Sequence, residues 1–288
     1  MSGRPARVVD AHVHLWDPAR TDWYPYLSGG QQLGMGDVTG MARRFDVPTY
    51  QRESDGWPVE KLVNVAAATG RHSIDETLEL DRQAEADGHP DAIVGGLPPA
   101  DTVAEAIELV DRQMAAPRFR GVRPMGPAAD PVPHVDVLRA LEERGLVFEL
   151  MAHTEELLDA ADALRPVDDL VVVVEHTGWP RSDTDDERAR WKQGIDALAG
   201  LGDRVVCKLS GLAMPLGSMS ATAFRPWIEH AVEVFGPERC MFASNFPVDG
   251  LHGSLDQLFT AYDEATSGLD EAARDQLFAG TAERVYRC

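Results

Sequence analysis

Short, nearly continuous apolar runs recur along this chain, and segments with helical spacing fill the gaps between them. Eight runs read as buried strands: Val8 to His14, Lys61 to Ala68, Asp91 to Leu97, Arg118 to Pro124, Leu146 to Ala152, Leu170 to His176, Arg204 to Ser210, and Cys240 to Phe246. They are β-branched or aliphatic with little polar alternation, the pattern of parallel strands covered on both faces. The intervening segments, among them Ile74 to Ala86, Thr102 to Ala115, Val135 to Arg144, Glu155 to Leu164 and Ala223 to Phe235, have an apolar and a polar face at helical period. Asp101 and Thr154 stand where helix N-caps belong, and Gly88, Gly145 and Gly236 where helices end. This alternation, in 288 residues, predicts a (β/α)8 TIM barrel of the α/β class, with residues 1–288 as a single domain. A doubly wound open sheet would carry a Gly-rich phosphate loop after its first strand, and none is present.

Composition narrows the partners. With 44% hydrophobic residues the chain can build a large core, and a net charge of −21, from 48 acidic against 27 basic residues, argues against nucleic acid and anionic membranes. The first residues lack the apolar segment of a signal peptide. The longest aliphatic stretch, Leu170 to Val174, is too short to span a bilayer. Cys207, Cys240 and Cys288 show no paired spacing, so neither a disulfide framework nor a Cys-based zinc site is expected. The expectation is a cytoplasmic protein that acts on a small molecule. A homodimer is compatible with this class.

Chemistry in such a barrel gathers at the C-terminal strand ends. The first strand ends in His12 and His14, two residues apart and therefore on one side of a strand, where both imidazoles can meet one cation. The fourth ends in Arg123, the fifth offers Glu149 and, just beyond, His153, and the sixth ends in Glu175 and His176. Lys208 and Ser210 close the seventh, and Ser244 and Asn245 the eighth, with Asp249 in the following turn. Glu149 reads as half of a buried ion pair. Lys208 reads either as a substrate contact or as a partner of Glu175, and Arg123 as a substrate contact or a salt bridge. The other five histidines (His72, His89, His134, His230, His252) read as surface or capping residues. The loop from Leu15 to Glu60 is rich in aromatics around a Gly-rich stretch, Gly29 to Gly36, and reads as a wall or lid above the barrel.

Taken together, Val-Asp-Ala-His12-Val-His14-Leu-Trp16-Asp-Pro, Arg120-Gly-Val-Arg123, Glu175-His176-Thr-Gly-Trp179-Pro, Lys208-Leu-Ser-Gly-Leu212 and Met241-Phe-Ala-Ser-Asn245-Phe-Pro247 resemble the amidohydrolase superfamily, and within it the lactonase-like branch that includes sugar-lactone and pyrone-dicarboxylate lactonases. The resemblance runs nearly end to end. It implies hydrolysis of a cyclic ester, either a sugar lactone or a carboxylated one, at a metal site that is mononuclear or empty, with zinc or manganese as the ion. By position it implies His12 and His14 as metal ligands or substrate-polarising groups, His176 as a further metal ligand or a donor to the substrate carbonyl, and Arg123 as a substrate contact; Lys208, Trp179 and Trp16 are further candidate substrate contacts from their places at the strand ends and in the loops.

Two departures from the branch stand out. The last strand usually ends in an Asp that binds metal and takes the proton of the attacking water. Here the position is Asn245, a carboxamide with no usable basicity near neutral pH. Three explanations follow: another acid (Asp249, Glu175 or Asp10) supplies the base, His153 supplies it, or hydrolysis has been lost and the barrel only binds a ligand. The second departure is Val65-Ala66-Ala67, where relatives often carry an acid or amide on strand two. Aromatic-acid decarboxylases of the same branch offer a further alternative activity, but they too use the Asp that Asn245 replaces.

Overall fold

The computed structural model describes residues 4–28, 37–125 and 130–288. Eight strands form one parallel sheet in sequence order: β1 Val8–Val13, β2 Val59–Val65, β3 Ala92–Leu97, β4 Phe119–Pro124, β5 Val147–Leu150, β6 Val172–Val174, β7 Val205–Leu209 and β8 Cys240–Phe242. The segment after β8 closes the barrel onto β1. Phe246 bridges Val13 in parallel, the Asn245 N–H donates to the His12 carbonyl (2.8 Å), and the His14 N–H donates to that of Phe246 (2.8 Å). The (β/α)8 barrel is therefore the observed architecture. Several strands stop short of the apolar runs that predict them (β5 at Leu150, β8 at Phe242).

Helices α1 Val47–Glu53, α2 His72–Asp87, α3 Val103–Gln113, α4 Val135–Glu143, α5 Leu157–Leu164 and α6 Asp185–Ala199 follow in order. They continue as α7 Ala213–Leu216, α8 Ala221–Phe235, α9 Leu255–Ala265, α10 Glu271–Asp275 and α11 Thr281–Tyr286. Gly88 ends α2 and Gly236 ends α8, and Gly145 follows α4 with φ of 63°, as expected of such stops. Two caps differ from the expectation by one residue. Thr102, not Asp101, has the extended backbone of an N-cap, and its hydroxyl accepts the Glu105 N–H at 3.1 Å. The turn leading into α5 is capped by His153, not Thr154, with the Glu156 carboxylate accepting the His153 N–H at 2.8 Å. Among the described residues no helix is long and apolar enough to cross a membrane.

The core has two layers. Large side chains such as Trp191, Trp227, Phe224 and Phe242 fill the space between sheet and helices. Within the barrel, small aliphatics such as Val9, Val63, Val94, Val147, Val173 and Val206 stack, and α11 seals the lower end with Ala282, Val285 and Tyr286. Val9 and Ala11 belong to that inner layer, so strict alternation would turn His12 and His14 outward. A register irregularity between Asp10 and Val13 reverses the parity. Such a bulge re-aims side chains at a barrel rim, and here it delivers both imidazoles to the mouth.

Candidate active site

Asp10 stabilises the bulge. Its carboxylate accepts the N–H of Ser244 (2.8 Å), the N–H of His12 (3.2 Å) and the Tyr50 hydroxyl (2.7 Å), pinning β1 to the β8 segment. Asp10 is fully buried with its oxygens engaged in this seam. Above it, the His12 and His14 Nε2 atoms lie 3.2 Å apart. His14 Nδ1 donates to the Val65 carbonyl (2.8 Å), which leaves its Nε2 lone pair facing His12. The 3.2 Å between the two Nε2 atoms is a hydrogen-bond distance, with one proton shared between the rings.

His176 reaches the same point from the opposite wall, its ring centroid 4.7 Å from that of His12. It does so through an unusual backbone. His176, Thr177 and Trp179 have φ of 51°, 57° and 34°, a left-handed turn that costs non-glycine residues about 1–3 kcal/mol each. The turn is held from outside: Trp191 Nε1 donates to the Thr177 carbonyl (2.6 Å), and the Thr177 hydroxyl reaches the Lys208 and Ser210 carbonyls (both 3.3 Å). His176 Nδ1 lies 3.1 Å from the Ser210 hydroxyl. Burial disfavours the cationic form of all three rings, taking His14 down to about 3, His176 to about 4, and His12 well below its ordinary value with Lys208 adding to the effect. Near neutral pH the mouth therefore presents three neutral imidazoles.

Two buried ion pairs flank them, and their pairing differs from the expectation. Lys208 meets Glu149, not Glu175, with Nζ at 2.7 and 2.8 Å from the two carboxylate oxygens and 3.4 Å from His12 Nδ1. Glu149, read from sequence as half of an ion pair, is that half. Tyr286, in the last turn of the chain, donates its hydroxyl to Glu149 from below at 2.5 Å. The column Tyr286–Glu149–Lys208–His12 thus runs through the barrel interior. Glu175 instead faces Arg123 (3.2 Å), whose other nitrogens donate to the Ala66 carbonyl at 2.6 and 3.1 Å. Burial opposes ionisation of Glu175, but Arg123 and His176 hold its carboxyl well below the usual range, which makes it a poor proton acceptor.

Asn245 occupies a left-handed position (φ 56°), which Asn tolerates, and its amide donates to Asp249 Oδ1 at 3.0 Å. Asp249 is fully buried, and its second oxygen has no partner among the described residues. Burial pushes its carboxyl up to about 7 against the pull of that hydrogen bond. A folded-state value above the unfolded one means that the native state holds a proton which the unfolded chain releases. Stability contributed by Asp249 is therefore present below about pH 4 and lost as pH rises toward about 7. Asp249→Asn should flatten the decline of the melting temperature between pH 5 and pH 8, and a variant that follows the parent curve would show that Asp249 titrates normally.

The aromatics divide into scaffold and rim. Trp16 is buried and stacks parallel behind His14 (5.8 Å), its indole N–H donating to the Arg43 carbonyl (3.1 Å), so it backs His14. Tyr24, Tyr26, Tyr50 and Trp57 are buried and fasten the long loop to the barrel. The Gly29 to Gly36 stretch lies outside the described residues. Trp179 is half-buried at the rim and stacks on His153 (4.4 Å), whose Nδ1 donates to the Trp179 carbonyl (3.2 Å). Of the remaining histidines, His134 caps α4 and His230 pairs with Asp196.

A family model described as amidohydrolase matches residues 9–288. The chain belongs to the amidohydrolase family. It is similar over 97% of its length to an uncharacterized protein, y4mH, of Sinorhizobium fredii (29% identity, 98% of that protein covered). It is similar over 96% to an L-fucono-1,5-lactonase of Burkholderia multivorans (28% identity, 95% covered). Among solved structures, an amidohydrolase from Burkholderia multivorans with bound zinc superposes with a TM-score of 0.82 at 27% identity, covering 98% of this chain and 99% of that one.

In this amidohydrolase the donor atoms of His12, Glu175 and His176 lie within 4.8 Å of one another, and His14 Nε2 adjoins His12. The hydrogen bonds from His14 Nδ1 to a carbonyl and between His176 Nδ1 and a hydroxyl are the outer-shell contacts that ligating imidazoles use. The residues present therefore fit a divalent ion. Glu175 joins the residues that could hold it, a position the spacing of the histidines did not reveal. The acid absent from strand two has a counterpart from α2. Glu76 is buried and accepts the N–H groups of Ala67 (2.9 Å) and Ala68 (3.2 Å) and the Tyr24 hydroxyl (2.8 Å). It thereby secures the turn whose carbonyls hold His14 and Arg123. Its sequence signal was weak: one Glu on the apolar face of a helix.

Proposed function

We propose that this amidohydrolase opens a small lactone by adding water to the ring ester carbonyl. The observation that carries the reading is the convergence of three desolvated, neutral imidazoles, His12, His14 and His176, beside the buried Arg123–Glu175 pair at the C-terminal mouth of the barrel. The similarity to an L-fucono-1,5-lactonase over nearly the whole chain supports the same class of reaction. Where no ion is held, His176 serves as the donor to the ester carbonyl, and a neutral imidazole there can stabilise the developing oxyanion. A divalent ion, zinc or manganese, would be held by His12, Glu175 and His176 with His14 alongside, and when bound would polarise the carbonyl or acidify a water. The zinc of the Burkholderia multivorans structure supports that assignment.

The proton of the attacking water goes to His153 in this reading. Asp10 and Glu175 are already engaged, and Asp249 is sealed behind Asn245, which it positions. His153 is half-buried at the rim, and because Nδ1 donates to a carbonyl, Nε2 keeps its lone pair. His153→Gln should lower kcat by about 100-fold or more with a smaller change in KM. An unchanged kcat would remove His153 from the mechanism. A pH-stat panel of aldonolactones tests the reaction itself. Acid release proportional to enzyme, together with about one metal per chain by mass spectrometry, is the expected result. Ligand-induced melting shifts without acid release would instead mean a barrel that binds and does not turn over.

A further inference from the structure

Glu76 is a buried carboxyl with no place in the reaction as written, and it holds the turn between β2 and α2. Pairing of β2 with β3 ends at Val65, and the Ala66 N–H still donates to the Val94 carbonyl at 2.8 Å. Beyond lie the amides of Ala67 and Ala68, both residues buried, where an N–H without an acceptor is costly. One carboxylate serves both. Glu76 Oε2 accepts the Ala67 N–H at 2.9 Å and the Ala68 N–H at 3.2 Å, and Oε1 also accepts the Ala68 N–H at 3.2 Å. The Tyr24 hydroxyl donates to Oε1 at 2.8 Å. The Ala67 N–H belongs to the same planar peptide as the Ala66 carbonyl, and in a trans peptide the two point in opposite directions. Glu76 therefore grips the back of a group whose front accepts Arg123 at 2.6 and 3.1 Å. Arg123 in turn lies 3.2 Å from Glu175, which stands with His12 and His176 among the residues that could hold an ion. His14 hangs on the preceding peptide, through the Val65 carbonyl, and that peptide is fixed by β3 instead.

We propose that Glu76 is a positioning residue for the reaction: from behind the barrel wall it fixes the peptide that aims Arg123 at Glu175. The kinetic consequence rests on the lactonase reading, whereas the geometry does not. What Glu76 supplies is reach rather than charge. Its two oxygens must arrive at two adjacent amides while its backbone stays in α2. A carboxamide of the same length can do this, giving its oxygen to the amides and its NH2 group to the Tyr24 hydroxyl, which accepts as well as donates. A carboxylate one C–C bond shorter, ~1.5 Å, cannot serve both amides. The Ala66–Ala67 peptide is then free to rotate, and the Arg123 guanidinium turns with it.

The test sets reach against charge in the full chain, with gluconolactone as the assay substrate. Glu76→Gln should keep roughly a third or more of the parent kcat/KM, and Glu76→Asp should lose roughly 30-fold. Only that order supports the role. The reverse order would make the charge the requirement, and rates that are parent-like or equally impaired in both variants would separate the turn from the reaction; each overturns the proposal. A second measurement needs neither substrate nor ion. In isotope-labelled, chelator-treated protein the Arg123 Nε–H resonance, assigned by its absence from Arg123→Lys, should hold its parent position in Glu76→Gln and shift or broaden in Glu76→Asp. A resonance unmoved in Glu76→Asp overturns the positioning role whatever the rates. If gluconolactone is not opened, the resonance alone decides, so the lactonase reading can fail while the placement of Arg123 by Glu76 stands.

Discussion

Lys208→Met is expected to destabilise the protein by about 3–5 kcal/mol, the cost of leaving one member of a buried ion pair without its partner. Lys208 and Glu149 have no solvent exposure. With the ammonium removed, Glu149 keeps the Tyr286 hydroxyl and the buried Glu175 carboxyl beside it. Burial already pushes the Glu149 carboxyl up to about 8 against the pull of Lys208, and losing that pull raises it further. The variant can escape part of the penalty by holding a proton on Glu149, so the loss should be larger at pH 9 than at pH 6. Adding Glu149→Met removes the orphaned charge and should restore most of the stability, while His12, deprived of the donor to its Nδ1, remains poorly oriented and activity stays low. Urea unfolding of the two single variants and the double one, with activity measured alongside, forms the cycle. A Lys208→Met protein with the parent midpoint would show that the interior column is dispensable.

The column marks where sequence reasoning stops. The apolar runs gave away the eight strands because each strand is buried on both faces, a local property that composition records. The helix stops at Gly88 and Gly236 were legible for the same reason, since they answer to local backbone geometry. Partners across the barrel answer to register instead. Lys208 and Glu175 lie on adjacent strands and look like natural partners in sequence, yet Lys208 points across the interior to Glu149 on β5, and Glu175 crosses to Arg123 on β4. The direction of the His12–His14 pair hinged on a bulge that nothing in Val-Asp-Ala-His-Val-His announces. Tyr286 and Glu76 were invisible as site residues. One is an aromatic near the chain end and the other a helical Glu, and both matter only because the fold buries them against backbone or charge. Asn245 reads from sequence as the anomaly of the site, and the structure adds its contact with Asp249.

Gly211→Ala should cost little of the fold and most of the activity. Gly211 has φ of +67°, so alanine there carries left-handed strain of about 1–2 kcal/mol. Its Cβ would also lie 2.7 Å from Cγ and 2.8 Å from Nδ1 of His176. That ring cannot yield easily, since its backbone sits in the left-handed turn braced by Trp191 and Thr177. The ring must rotate or shift away from Ser210, and a displacement of even about 1 Å at a catalytic group can cost about 100-fold in rate. Gly217 supplies the control: its φ is +59° and an added Cβ meets nothing within 4 Å. Gly217→Ala should therefore carry the backbone strain and keep the rate. If the two variants melt alike and only Gly211→Ala loses kcat, the loss belongs to the placement of His176. Equal losses in both would trace the effect to backbone strain in the β7–α8 segment and free His176 from the role assigned to it.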